Sequence, residues 1–344
     1  MVTLKDVALA SGVSTATASY VVNNGPRPVL PKTRDRVLKA ITELGYQPNA
    51  AARSLMGKRT HTFGIVFPHV IAHPFDNQYF SAVLSGIIDE ATERKQFAML
   101  FTGLDWEEAE RSVPLFCDGR CDGFLFVAPP AHSRLVDTLL ERNKHVVLLG
   151  TRALGVNVGT VDAKNIEGSR MATRHLLELG HRRIGLLKAC EANTSTVERL
   201  DGFRLALTEY GLSLDDAVIV PDRQGEETSV DVARRLLLSE EGRSLTGLVC
   251  AHDSTAACAI EAAMSIGKRV PEDLSVVGFD DVPLAKECTP QITTVRQPLR
   301  EIGVAAAAML FELIDDPKSQ PQERLFDVEL IKRASTAPPS FRNS

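Results

Sequence analysis

The sequence predicts an α/β protein with a small all-α domain at its N-terminus and a larger body of parallel sheets flanked by helices, in two similar lobes. Three observations carry this. From His61 onward, short apolar runs bounded by turn residues alternate with helical segments, the pattern of repeated strand-helix-strand units. The first 47 residues instead show short helical periods broken by glycine and by a proline-rich loop. Charge divides near the same place: residues 1–60 hold four Lys and five Arg against two Asp and one Glu, a balance of +6, while the whole chain is −5, leaving −11 for the rest. A basic head on an acidic body points to a polyanion partner for the head alone. At 344 residues the chain also exceeds one ordinary core.

In the head, Thr3 and Asp6 form a capping arrangement for a helix whose apolar positions are Leu4, Val7 and Ala8, followed by Ala10 or Ser11. Gly12 ends it, and Ser14 is placed to cap the next helix. Two short helices joined by such a turn make a helix-turn-helix. In the second helix Ala18, Val21 and Val22 share one face, so Thr15, Ala16, Ser19 and Tyr20 point outward. This stretch, VSTATASYVVN, has no charged residue although the head around it is basic. A third helix spans about Lys32 to Leu44, with Val37, Leu38, Ile41 and Leu44 as its apolar stripe and Gly45 as its stop. Beyond it Asn49 can cap a helix of about seven residues ending at Gly57, too short to be stable alone in water.

In the body, strands are expected at FGIVFP, FAMLFTG, GFLFVAP, HVVLLG, RIGLLKA, AVIVP, TGLVCAHD and LSVVGFDD. Ligands of open parallel sheets bind beyond the carboxyl ends of the strands. That rule marks FPHVIAHPFDNQYF, VAPP, LLGTR, CAHD and GFDD as pocket walls.

Composition and motifs narrow the function classes. The N-terminus MVTLKDVALASG lacks the apolar run of a secretory signal, and no stretch approaches a membrane span, so a cytoplasmic, nucleoid-associated protein is expected. The six cysteines are scattered without zinc-site spacing, which reads as reduced thiols, with no metal or cofactor expected. No H-E-x-x-H, G-x-S-x-G or phosphate-loop motif organises the histidines, so a non-enzyme is expected.

TLKDVALASGVSTATASYVVN, TRDRVLKAITELGYQPNAAARSL, RVPEDLSVVGFDDVPLA and TTVRQP, in collinear order over nearly the whole chain, resemble the lactose/galactose repressor family of bacterial transcription regulators. The resemblance implies a helix-turn-helix headpiece over residues 1–47, a hinge helix and linker over 48–60, and a two-lobed domain like a periplasmic binding protein over 61–344, which binds effector and dimerises. It implies contacts with double-stranded operator DNA at Thr3, Ser14, Thr15, Ala16, Thr17, Ser19, Tyr20 and Asn23. In the hinge it implies contacts at Asn49, Ala52, Arg53 and Leu55, with Leu55 as a minor-groove wedge and Ala51 and Ala52 allowing close approach of the partner's hinge. The partners so implied are a palindromic operator, a second copy of the chain as homodimer, and a small-molecule effector, a sugar or sugar derivative.

The same resemblance carries Arg199 of VERLDGFRLAL and Asp280 of GFDD over as effector ligands, with Phe75, Asp76, Tyr79, Phe80, Gly150, His252 and Leu299 around them. Three positions depart from the family. His252 stands where an asparagine is common, Gly150 where some sugar-binding members place an aspartate, and Leu299 where the lactose repressor is aromatic. Gly150 therefore leaves room for a bulkier ligand, and stacking is expected from Phe75, Tyr79 or Phe80. A corepressor, a protein partner, or a solute-binding module without a DNA role are the competing readings; the basic head disfavours the last. The C-terminus RASTAPPSFRNS has no leucine heptads, which argues against a tetramerising coiled coil.

Overall fold

The computed structural model describes residues 2–22, 27–47, 59–67, 77–102, 105–152, 155–190, 193–222, 227–316 and 318–340. The chain divides into two units, taken separately below: residues 1–60 with 118–120, and residues 61–117 with 121–344. The segment expected to form the hinge helix, with Asn49, Ala51, Ala52, Arg53 and Leu55, lies outside the described residues, as do Asn23, Phe75 and Asp76.

Helix α1 (Leu4–Ser11) opens on a capping box: the Thr3 hydroxyl accepts the Asp6 N–H at 3.4 Å and the Asp6 carboxylate accepts the Thr3 N–H at 2.8 Å. These bonds favour the charged carboxylate and hold Asp6 below its ordinary pKa. Gly12 ends the helix with φ 63, a left-handed conformation that costs glycine nothing. Helix α2 (Thr15–Val22) follows at once, with the Ser14 hydroxyl accepting the Thr17 N–H at 3.1 Å. Helix α3 (Pro31–Leu44) ends on Gly45, also left-handed. Val7, Ala8, Ala18, Val21, Val37 and Ala40 form the core of the three. The expected α3 stripe needs one correction: Leu38 is 44% exposed and Ala40 takes its place inside. The inward set Val37, Ala40, Ile41 and Leu44 steps by three and four residues, whereas Leu38 lies about 100° round the helix from Val37.

The body begins with β1 (Thr62–Val66), α4 (Gln78–Glu93), β2 (Phe97–Phe101), α5 (Trp106–Arg111), α6 (Val113–Phe116), β3 (Gly123–Val127), α7 (Arg134–Glu141), β4 (His145–Leu149) and β5 (Gly159–Ala163). A second set follows: α8 (Asn165–Glu178), β6 (Ile184–Lys188), α9 (Thr194–Glu209), β7 (Val218–Pro221), α10 (Ser229–Leu238), α11 (Glu240–Arg243), β8 (Gly247–Cys250), α12 (Asp253–Ser265), β9 (Ser275–Asp280), α13 (Leu284–Glu287) and β10 (Thr293–Arg296). The chain then returns to the first lobe with α14 (Leu299–Asp315) and β11 (Glu323–Phe326), and to the second with β12 (Glu329–Ile331).

The strands make two six-stranded sheets, ordered β11-β5-β4-β3-β1-β2 and β12-β10-β9-β8-β6-β7. All pairs are parallel except β10 with β12, so the second sheet carries an antiparallel edge that the sequence reading did not include. The central strands are buried on both faces. In β3, Leu125 and Val127 enter one core while Phe124 and Phe126 enter the other, the period-two alternation of a covered sheet. All three crossings between lobes leave from or arrive at the β5/β11 and β10/β12 side, so β2 and β7 form the opposite, open edge of each sheet.

Paired helices fix each lobe at close range. A Cβ on Gly86 of α4 would lie 1.9 Å from the Arg300 carbonyl of α14, and one on Gly303 of α14 would lie 2.1 Å from the Val83 carbonyl. In the second lobe Gly202 of α9 stands equally close to Ile166 O of α8, at 2.1 Å. The polar C-terminal segment is laid along the second lobe: Ser335 Oγ donates to Val276 O, and the Ala337 N–H donates to Ser275 Oγ. Among the described residues no helix is long and apolar enough to cross a membrane.

Candidate functional site

The head offers a neutral face. Thr15 and Ala16 at the start of α2 are exposed, and Ser19 and Tyr20 one turn on are half-buried. Thr3 and Ser14 spend hydroxyl bonds on helix capping, and the Thr17 hydroxyl lies 2.9 Å from that of Ser14. Thr15 and Ala16 therefore present one hydroxyl and two methyl groups, a set suited to a thymine methyl and to base-edge acceptors.

In the body, a cavity of about 740 Å³ lies between the carboxyl ends of the two sheets. Its volume falls within the usual small-molecule range. The first lobe contributes Tyr79 and Phe80 from the first turn of α4, Trp106 from α5, Ala128 and Pro130 after β3, Gly150 after β4 and Asp162 in β5. The second contributes Arg199 and Ser195 from α9, Cys250 at the end of β8 with Ala251 and His252 after it, and Phe279 and Asp280 at the end of β9.

Arg199 is the centre of this wall. Its guanidinium stacks 3.8 Å from the Phe279 ring centroid, donates from Nε to Asn165 Oδ1 at 2.9 Å, and donates from Nη1 to Ala251 O. Nη2 stands 3.8 Å from Asp280 Oδ1. Arg199 and Asp280 thus stand close to each other, and both also face the cavity. His252 Nδ1 lies 3.3 Å from Arg199 Nη1 and 3.5 Å from Asp280 Oδ2. One nitrogen cannot accept from arginine and donate to carboxylate together, so the protonation of His252 decides which neighbour it serves.

Asp280 is held in an uncommon backbone conformation, φ 117, with Gln297 Nε2 donating to its Oδ1 at 2.6 Å. The turn is anchored from behind. Asp281 takes Arg296 Nε at 2.7 Å and is also paired with Arg333. Buried Asp253 accepts the Val282 N–H at 2.9 Å and the Thr294 hydroxyl. Burial, then the charge of nearby Asp280, pushes the Asp253 carboxyl up to about 8. A Cβ on Gly278 would fall 2.3 Å from that carboxylate, so the glycine of SVVGFD makes the space for it.

Across the cleft Asp162 accepts Ser195 Oγ at 2.7 Å, the Ala163 N–H at 2.7 Å and Asn165 Nδ2 at 3.0 Å. Burial outweighs these bonds and raises its carboxyl above the ordinary range. Tyr79, raised by burial and by the nearby Asp162 and Asp280, keeps its phenolic proton and is a donor here. Thr194 and Arg152 form a further link between the lobes: the Arg152 N–H donates to Thr194 Oγ1 at 2.7 Å, and the Arg152 guanidinium pairs with Glu198.

Of the residues expected at the effector site, Tyr79, Phe80, Gly150, Arg199, His252 and Asp280 line this cavity. Leu299 does not: it opens α14 and packs into the first-lobe core. The room expected beside Gly150 is partly taken, since a Cβ there would stand 3.2 Å from the Tyr79 hydroxyl. Asp162, Asn165, Ser195 and Trp106 escaped the sequence reading. Asp162 lies in GTVDA, which has no apolar run to announce a strand, although the strand-end rule would have found it once that strand was placed.

Residues 3–49 match the family described as bacterial regulatory proteins, lacI family, and residues 173–336 match the periplasmic binding protein-like domain. The chain is 33% identical over 336 residues to the HTH-type transcriptional regulator CelR of Thermobifida fusca, covering 97% of this chain and 98% of that protein. Among solved structures it is similar to a transcriptional regulator CelR-cellobiose complex, with TM-score 0.74, 31% identity, and 97% and 100% of the two chains covered. It is also similar to the lac repressor dimer bound to operator and the anti-inducer ONPF, with TM-score 0.78, 27% identity, and 98% and 99% covered.

Proposed function

Because the chain belongs to the lacI family of bacterial regulatory proteins and is a helix-turn-helix transcriptional regulator, we propose that it represses carbohydrate uptake or catabolism genes and releases its operator when a sugar fills the cleft. Residues 1–47 are the DNA-reading headpiece, 48–60 the hinge and linker, and 61–344 the effector-binding and dimerising body. The observation that carries the effector reading is the Arg199 cluster. Arginine, two buried carboxylates and a tyrosine hydroxyl converge on one cavity, beside the aromatic faces of Phe80 and Trp106. Vicinal hydroxyls satisfy such donors and acceptors together, and aromatic rings cover the apolar face of a sugar. The cellobiose bound by the CelR relative supports the same class.

A homodimer is supported by apolar side chains left at one side of the first lobe, where Ile88 on α4 and Phe97 and Leu100 on edge strand β2 are exposed. A two-fold dimer reads a roughly palindromic operator with two major-groove half-sites. Phosphate attraction comes from Lys5, Arg27, Lys32, Arg34 and Arg36 around the neutral α2, which is left free to approach base edges. In the hinge, Leu55 acts as the wedge, with Asn49, Ala52 and Arg53 beside the DNA.

A gel-shift titration tests this, using promoter fragments from the DNA flanking the gene and repeated with candidate sugars. A specific complex that one of the sugars dissolves is expected. Failure to bind any fragment at low salt would remove the repressor reading.

A further inference from the structure

Asp222 follows β7 at the open edge of the second sheet and lines the cavity. It is 6% exposed. Its N–H donates to Lys188 O at 2.7 Å and its Oδ2 accepts the Thr255 hydroxyl at 3.2 Å, while Oδ1 is buried without a hydrogen-bond partner. A buried carboxylate oxygen lacking a donor is unfavourable; Oδ1 has almost no accessible surface, so a donor in the cavity relieves it when the carboxylate turns toward the cavity that Asp222 lines. Asp280 ends β9, three interstrand steps away in the order β9-β8-β6-β7, which is about 14 Å at ~4.8 Å per step. The cavity joins the two carboxylates, and one sugar ring cannot span them.

Trp106, the one tryptophan of the chain, lines the same cavity just beyond β2, the open-edge strand of the first sheet. The open edge of the cleft therefore combines an aromatic face from one lobe with an orphaned acceptor from the other, the pairing that holds a ring carrying hydroxyls.

We infer that the cleft takes a neutral sugar of at least two linked rings: one ring at Arg199, Asp162 and Asp280, and the next at a second subsite where its hydroxyl donates to the Asp222 carboxylate, turned toward the cavity, over Trp106. This rests on the sugar-effector reading above and adds chain length to it.

Calorimetric titration of the full-length protein with glucose, cellobiose and cellotriose, and with galactose and lactose, tests it in wild type, Asp222→Asn and Arg199→Ala. Asp222→Asn keeps an acceptor for Thr255, and thermal unfolding checks that the fold survives. Ser229→Phe, at a half-buried lining position on α10, fills the same end of the cavity by an independent route. The expected result is that a two-ring sugar binds at least tenfold more tightly than its one-ring counterpart. Asp222→Asn and Ser229→Phe should each remove most of that advantage while changing one-ring binding less than twofold; Arg199→Ala should weaken both. Equal losses for one-ring and two-ring sugars in Asp222→Asn, or none for either, overturn the second subsite but leave the sugar reading in place. Absence of binding by every sugar overturns the sugar reading, and the subsite with it.

Discussion

Arg199 draws its position from partners that each use a different part of the side chain: Phe279 under the plane, Asn165 at Nε, and Ala251 O and His252 at Nη1. A guanidinium fixed on so many sides loses little freedom when a ligand arrives, which is why arginine rather than lysine suits the place. Arg199→Ala is expected to lower sugar affinity at least tenfold, since charged hydrogen bonds contribute about 1.5–3 kcal/mol each, while operator binding is retained. Gel shifts with added sugar check both halves. Asp253 makes a different prediction. Its carboxyl titrates near 8 in the folded protein and near 3.8 when exposed, so between these values the folded state holds a proton the unfolded state has lost. That contribution to stability is complete below about pH 4, falls as pH rises, and is gone above about pH 8. Urea unfolding across this window should show Asp253→Asn with a flatter pH dependence than wild type, by a few kcal/mol at about 1.36 kcal/mol per unit. Parallel curves would contradict it. Arg199 and Asp280 were legible in the sequence through the motifs around them. Asp162 was not, because its strand GTVDA has no apolar run to announce it; Asp222 and Trp106 were not, although strands were expected at AVIVP and FAMLFTG before them, because neither of those strand ends was marked as a pocket wall.

Among the elements, the helix pairs show how small residues set the frame of the cleft. Gly86→Ala would gain about 1 kcal/mol of helix propensity in isolation. Against that stands a Cβ 1.9 Å from a backbone carbonyl that cannot rotate away. Separating α4 from α14 should cost more than the gain, in the range of about 1–3 kcal/mol or above, and should tilt the first turn of α4 that carries Tyr79 and Phe80. Denaturant unfolding checks the loss, and an unchanged or raised midpoint would contradict it. The strands that were legible are the central ones, where burial on both faces demands a continuous apolar run. GTVDA, TTVR, ERLF and ELI were missed for two reasons. The first two bury polar side chains, Asp162 and Thr294, that bond to other elements, and the last two are short edge strands with exposed faces. Leu38 shows the converse error, an apolar residue taken as core although it lies one position off the inward stripe.

For the whole molecule, the proposed mechanism requires the cleft and the DNA-reading face to be coupled through a segment that is marginal on its own. The sequence of PNAAARSL predicts a helix of only about seven residues, below the length that persists in water, so we propose that its folding is tipped by small changes in the body to which it is joined. Leu55→Ala should therefore weaken operator binding far more than binding to unrelated DNA, measured side by side at one salt concentration. Equal losses would count against a wedge. Division into head and body was legible from the charge step and the change of period at His61, whereas the three crossings between lobes depend on long-range pairing that no local pattern announces.

Coupling of this kind is reciprocal, because the free energy linking two sites has one value whichever ligand is added first. The most direct measurement is the affinity of an effective sugar for the free protein and for the protein saturated with its operator. Sugar should bind more weakly in the operator complex, by the same factor by which the sugar weakens operator binding. Identical affinities in the two states would contradict it.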